Sequence, residues 1–220
     1  GPVLMNRKVL LKPNILSDNP PEKCISTHPV VVEAMVRFLK SEGATVMIGD
    51  SPAIHTRGFR ALKSGIDDIC RNYNIDWVDF SIEPLVIKLR DSRIKVASVI
   101  KEVDLIISLP KLKNHELMYF TGAIKNTLGL VPGFSKAKQH ARFQDRESFS
   151  RFLVYLNEKI TPHFFLIDGI MSMDGRGPAQ GNPVSTGVLI GSSNPLAIDI
   201  IASQIAGYKP HDIPTIHFGL

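Results

Sequence analysis

What the chain lacks narrows the field before any motif is read. Cysteine occurs only twice, at Cys24 and Cys70, far apart and in no CxxC spacing. Two such residues cannot by themselves hold a zinc ion or an iron–sulfur cluster, which typically takes four protein ligands. No apolar run reaches the roughly eighteen residues of a membrane helix, and no signal peptide is expected. The GxSxG, HExxH and GxxxxGK[ST] patterns are all missing, which removes the serine hydrolase, zincin and P-loop readings. Lysine and arginine exceed aspartate and glutamate by 26 to 21, a net charge of +5, yet never form a run of five or six. A small anionic ligand is therefore the expected partner, and nucleic acid is not. The composition reads as cytoplasmic, with no membrane partner.

What is present describes one globular unit. At 220 residues, 44% hydrophobic and 21% charged, the chain can bury a real core. Gly1-Pro2 resembles a protease-cleavage scar and the chain breaks off after a Pro214–Leu220 tail, so residues 1–220 are expected to be a single α/β domain from something longer. Short apolar runs at Lys8–Leu11, Ala44–Ile48, Leu105–Ser108, His163–Ile167 and Val188–Ile190 read as strands. Helical spacing appears over Pro29–Lys40, in one or two pieces within Gly58–Asn72, and over Glu147–Ile160. Asn194-Pro195 has the form of a cap and first helical residue. Asp199 then favours the positive end of that helix. Asp76–Phe80 and Leu85–Ile100 read as β structure, the latter an inserted hairpin, and Gly/Pro-rich Asp174–Pro183 as a loop. Trp77, Phe164 and Phe165 read as core. Strands alternating with helices predict an α/β fold: a mostly parallel sheet flanked by helices, with a small inserted β-hairpin.

The polar residues gather where such folds bind ligands, beyond the carboxyl ends of the strands. Lys12 and Asn14 follow the first strand. Asp50 follows the second, with His55 soon after. Lys111, Lys113, Asn114 and His115 follow the Leu105–Ser108 strand, and Asp168 follows His163–Ile167. Four strands delivering such groups at the same kind of position imply a shared cleft. Asp50 before Ser51-Pro52 and Asp168 before Gly169 fit turn chemistry equally well. Gly175–Gly181 with Arg176 could wrap an anion in backbone N–H groups, a weak signal. For proton transfer near neutral pH a histidine starts near a pKa of about 6.5, so His28, His55, His115 or His140 needs little tuning. A lysine starts about 3 units too high, which casts Lys111 and Lys125 as cationic anchors.

The phrases Lys12–Asn14, Thr27–Pro29, Gly49–Ser51, Leu109–His115, Thr121–Asn126, Asp168-Gly169, Gly175–Pro178 and Asn194–Asp199 together resemble the domain-of-unknown-function family 362, members of which are often described as iron–sulfur proteins. The resemblance implies an α/β domain frequently accompanied by a ferredoxin-like cysteine-rich segment. No such segment lies in these residues, so any 4Fe-4S cluster would belong elsewhere. More distantly, His115, Gly122, Lys125, Pro132-Gly133 and His140 follow a spacing similar to that of the nickel-pincer lactate racemase family, with His55 in the place of its other catalytic histidine. That likeness implies proton and hydride exchange on a hydroxy acid with a nickel-type cofactor. It departs at Ala123-Ile124, where that family has two glycines, and around His55. The cofactor is left unassigned.

These readings converge on a His/Lys-lined cleft that binds a small anion. Its catalytic candidates are His115, Lys125 and His55, and its ligand-binding candidates are Lys12, Asn14, Asp50, Lys111, Lys113, Asn126 and Asp168. The alternative is a non-catalytic module that docks a ferredoxin-like domain or electron carrier through Lys111, Lys113, Lys136 and Lys138.

Overall fold

The computed structural model describes residues 3–53, 58–90 and 92–220, the side chains of Phe134 and His140 excepted. In chain order its elements are β1 (Lys8–Pro13), α1 (Pro29–Ser41), β2 (Thr45–Ile48), α2 (Ile66–Tyr73), β3 (Asp76–Trp77), β4 (Leu85–Leu89), β5 (Ser92–Val96), β6 (Leu105–Leu109), β7 (Lys111–His115) and β8 (Tyr119–Thr121). There follow α3 (Ala123–Asn126), α4 (Gly133–Arg142), α5 (Arg146–Ile160), β9 (Phe164–Arg176), β10 (Gln180–Ser192), α6 (Pro195–Ile205) and α7 (Pro214–Gly219). None of the helices among the described residues is long and apolar enough to cross a membrane.

The expected α/β architecture is the one observed. The main sheet runs β3-β2-β1-β6-β9-β7-β8, with β10 on the far edge of β9. The pairs β1–β2, β1–β6, β2–β3, β6–β9 and β7–β9 are parallel, while β7–β8 and β9–β10 are antiparallel. Strands β4 and β5 form the separate hairpin that the sequence predicts. Strand β1 is buried on both faces, so its residues divide by alternation. Val9 and Leu11 pack into a cluster with α1 and α2, while Leu10 packs with Phe80, Ile106 and Leu130 on the other side. Lys12 therefore falls on the Leu10 face. Strands β6 and β7 are nearly continuous, broken only at Pro110, and both lie along one edge of β9. That arrangement carries the Lys111–His115 segment inside the sheet.

Two expectations change. Asp174–Pro183 is not a free loop: its ends belong to β9 and β10, paired from Gln180 with Arg176 to Ser192 with Phe165, and only Gly177–Ala179 turns. Pro183 is tolerated because β10 is an edge strand, where a missing N–H costs no ladder bond. In the second helical region, Gly58–Asn72, the regular helix is α2, and Gly65 precedes it at φ +76°.

Asn194 caps α6 as expected, accepting from Leu196 N at 2.9 Å and Ala197 N at 3.0 Å. Asp199 does something other than serve its own helix. Its carboxylate accepts from Ala123 N at 2.6 Å and Ile124 N at 3.1 Å, and so caps α3. A helix of four residues cannot sustain itself, and this buried carboxylate supplies the end it lacks. Gly122 is required here because a β-carbon would overlap that carboxylate. Burial pushes the Asp199 carboxyl up to about 7, opposed by the two N–H donors. Asp199→Asn places an NH2 against a backbone N–H, and a loss of about 1–3 kcal/mol is expected in urea unfolding. Because the folded-state pKa is raised, this group's contribution to stability falls as pH rises from about 4 to about 7. The variant should lack that slope; an unchanged midpoint would show that the cap does not hold α3.

Candidate functional site

Beyond the carboxyl ends of β1, β2 and β7, a cavity of about 100 Å³ is lined by Lys12, Asn14, Asp50, His115, Lys125 and Asn126, together with Lys136 and Gly129. Six residues singled out from the sequence thus share one wall. Lys12 is 1% exposed and its Nζ lies 2.8 Å from Asp50 Oδ1. The same ammonium donates to Pro13 O at 2.9 Å and Asn126 Oδ1 at 3.2 Å. Asp50 Oδ2 accepts from Ile15 N. Asn126 joins three segments: its Oδ1 also accepts from Asn14 Nδ2 at 3.0 Å, and its Nδ2 donates to Ser108 Oγ at 2.9 Å. Gly129 closes against this pair, since a β-carbon there would overlap both the Asp50 carboxylate and the Lys12 ammonium.

The remaining cations are less well compensated. Lys125, carried by α3, makes no hydrogen bond or ion pair among the described residues, and burial, then the Lys136 and Lys12 ammoniums, lowers it to about 8. Lys136, which projects from α4, donates to the carbonyl oxygens of Ser51 and Pro52. Burial lowers it to about 8 as well, against the pull of Asp50. Burial likewise lowers Lys12, with Asp50 opposing. Three lysines therefore face one aspartate in a partly dry cleft, an electrostatic deficit that an anion would fill. Asn14 Oδ1 is buried without a donor, so the cleft also has an acceptor to satisfy. His115 Nδ1 accepts from Leu117 N at 3.2 Å and Met118 N at 3.3 Å, which places the proton of the neutral ring on Nε2.

Three expected ligand groups serve elsewhere. Lys111 Nζ pairs with Asp168 Oδ2 at 2.8 Å, the two side chains 1% and 0% exposed. Asp168 also accepts from His28 N at 2.8 Å, tying the start of α1 to β9. Lys113 donates to Ile25 O at 2.5 Å, and burial, then Lys125, holds it well below the usual lysine range. None of the three lines the cleft. Lys111 and Lys113 are both buried where β7 runs beside β9, Lys111 opposite Asp168 and Lys113 opposite Met173. The docking face built from lysines is also not formed as expected, because Lys111, Lys113 and Lys136 are all buried and Lys138 alone is exposed. His55 lies outside the described residues, as does the side chain of His140. Lys136 is the cleft residue that the sequence reading assigned to the wrong role, and no local signal marks how α4 docks. Among the described residues, no group of three or more His, Cys, Asp or Glu side chains is placed to hold a metal ion.

Residues 9–204 match the family described as Domain of unknown function (DUF362). The chain is 32% identical over 211 residues to the thylakoid-associated protein sll1697 of Synechocystis sp. (strain ATCC 27184 / PCC 6803 / Kazusa), covering 95% of this chain and 66% of that protein. Its fold is similar to that of the lactate racemase apoprotein from Thermoanaerobacterium thermosaccharolyticum, with a TM-score of 0.64 at 14% identity, over 90% of this chain and 48% of the other. A protein from Thermotoga maritima follows with a TM-score of 0.53 at 15% identity, over 92% and 55%. The chain thus spans between about half and two thirds of the lengths of these proteins.

The two buried ion pairs predict a contrast. Asp168→Asn strands the Lys111 ammonium in the core, and a loss of about 3–5 kcal/mol is expected in denaturant unfolding. The apolar double replacement Lys111→Met with Asp168→Leu should recover a large part of it, because both desolvated charges go together. A single variant as stable as the parent would show that Lys111 finds other compensation.

Proposed function

The chain belongs to the DUF362 family of domains of unknown function, and from the geometry of its cleft we propose that it binds a small anion that also carries a hydrogen-bond donor. The observation that carries this reading is the unpaired Lys125 beside Lys12, Lys136 and a single carboxylate. In a site shielded from water, such an excess of positive charge costs free energy until an anion enters. At about 100 Å³ the cavity is well below the roughly 300–1,000 Å³ of sites that enclose whole drug-sized ligands. A carboxylate or phosphate group fits; a nucleotide does not fit within it.

The ligand donor answers Asn14 Oδ1. A small 2-hydroxy carboxylate offers both features, with its carboxylate on Lys125 and Lys136 and its hydroxyl on Asn14. His115 lines the same cleft, its Nδ1 accepting from Leu117 N and Met118 N. In the tautomer fixed by its backbone donors it acts as an acid or hydrogen-bond donor, and acting as a base first requires loss of that proton. If the site turns its ligand over, proton or hydride transfer beside His115 is the reaction class, with Lys125 holding the anion. The fold likeness to a lactate racemase, at 14% identity, supports the frame and not the chemistry.

Titration calorimetry with phosphate and with lactate tests the reading. Lys125→Ala should weaken binding about tenfold or more, the loss of a desolvated charge pair. Affinity should also fall as pH rises through about 8, because Lys125 and Lys136 give up the protons that attract the anion. Affinity that is equal at about pH 7 and about pH 9.5, or indifferent to Lys125→Ala, would remove the proposal.

A further inference from the structure

A second basic concavity lies away from the cleft, between the β4–β5 hairpin and α4, with a volume of about 420 Å³. Arg93 and Lys95 reach it from β5, and Lys138 and Arg142 from α4. The spacing explains the convergence. Residues 93 and 95 alternate onto one face of the hairpin, while Ser135, Lys138, Gln139 and Arg142 recur at helical intervals on one face of α4. All four cations are exposed, and none makes a hydrogen bond or ion pair among the described residues. Among the described residues no aspartate or glutamate lies in the lining. An exposed lysine is ordinarily balanced or simply solvated. Four cations around one concave wall, with only Arg142 over the Phe143 ring among the described contacts, instead focus a positive potential into it.

The floor adds a second, independent feature. Gln139 is 4% exposed, and its Oε1 is buried with no partner. A buried amide oxygen left without a donor costs roughly 1–3 kcal/mol, so the site asks for a donor as well as for negative charge. Inorganic phosphate species supply charge but present few donors at neutral pH. The volume falls in the range that encloses a small organic ligand.

We propose that this groove binds an organic polyphosphate of the nucleotide class, its phosphates on Arg93, Lys95, Lys138 and Arg142 and a hydroxyl or amino group on Gln139 Oε1. The site is separate from the small-anion cleft, and α4 contributes to both: Lys136 to the cleft, and Lys138, Gln139 and Arg142 to the groove.

Equilibrium binding of ADP, pyrophosphate and adenosine to the whole chain, at low and high salt, tests the assignment. ADP should bind more tightly than pyrophosphate, adenosine weakly, and the ADP affinity should fall steeply with salt. Arg93→Glu combined with Lys138→Glu should weaken ADP about tenfold or more. Gln139→Leu should weaken ADP and leave pyrophosphate unchanged, while Lys125→Ala should leave ADP binding intact. Circular dichroism of each variant establishes that it is folded. Loss of ADP binding in Lys125→Ala alone would move the nucleotide to the cleft and overturn the proposal. Equal affinity for ADP and pyrophosphate would remove the organic moiety. Binding of polyglutamate without ADP would assign the groove to an acidic protein surface instead.

Discussion

Removing a lysine and an aspartate from water costs several kcal/mol for each ion, and only close pairing with further hydrogen bonds offsets that cost. The Lys12–Asp50 pair meets these terms through Pro13 at the end of β1, Ile15 just past it and Asn126 of α3. The end of β1, the turn after β2 and the end of α3 are thereby fixed to one another. Gly129 records how tight the arrangement is, since no side chain can stand there. The cavity, the Lys125 ammonium and the Asn14 oxygen, neither of them partnered among the described residues, are defined by what this pair leaves over.

The second buried pair, Lys111–Asp168, has the same chemistry and a different consequence. It is closed on every side and fastens β7 to β9 and, through His28, to the start of α1. Position in the sheet decides the difference. Lys12 sits at the last turn of a central strand, where the sheet opens into loops, while Lys111 begins a strand that continues into the interior. Two lysine–aspartate pairs with the same internal spacing of charge thus divide into a structural clamp and the foundation of the cleft proposed to take an anion.

The sequence made much of this legible because strand endings mark where ligands approach a parallel sheet. Lys12, Asn14, Asp50 and His115 were found on that rule, and the structure brings them together with Lys125 and Asn126. Lys111, Lys113 and Asp168 satisfied the same rule and were misplaced, because the rule does not see that β7 resumes immediately after Pro110. What places Lys111 and Lys113 is the pairing of β7 with β9, a contact distant in sequence. The β9–β10 hairpin was hidden by its glycines and prolines, which an edge strand accepts and a central strand would not. Lys136 could not be placed, because the docking of α4 depends on contacts distant in sequence. Asp199 was read within its own helix, and only the fold shows that its carboxylate belongs to α3.

That last displacement bears on how the molecule comes into being. Lys125 and Asn126 stand on a helix that cannot hold its own end, and the group that holds it is far downstream, on α6. As the chain leaves the ribosome, β1, β2 and β6 emerge early with most of the residues that line the cleft. The cleft nevertheless has no settled shape until Asp199 has been synthesised and α6 has packed. A nascent chain arrested before that point would carry nearly every residue of the cleft without the carboxylate that holds α3.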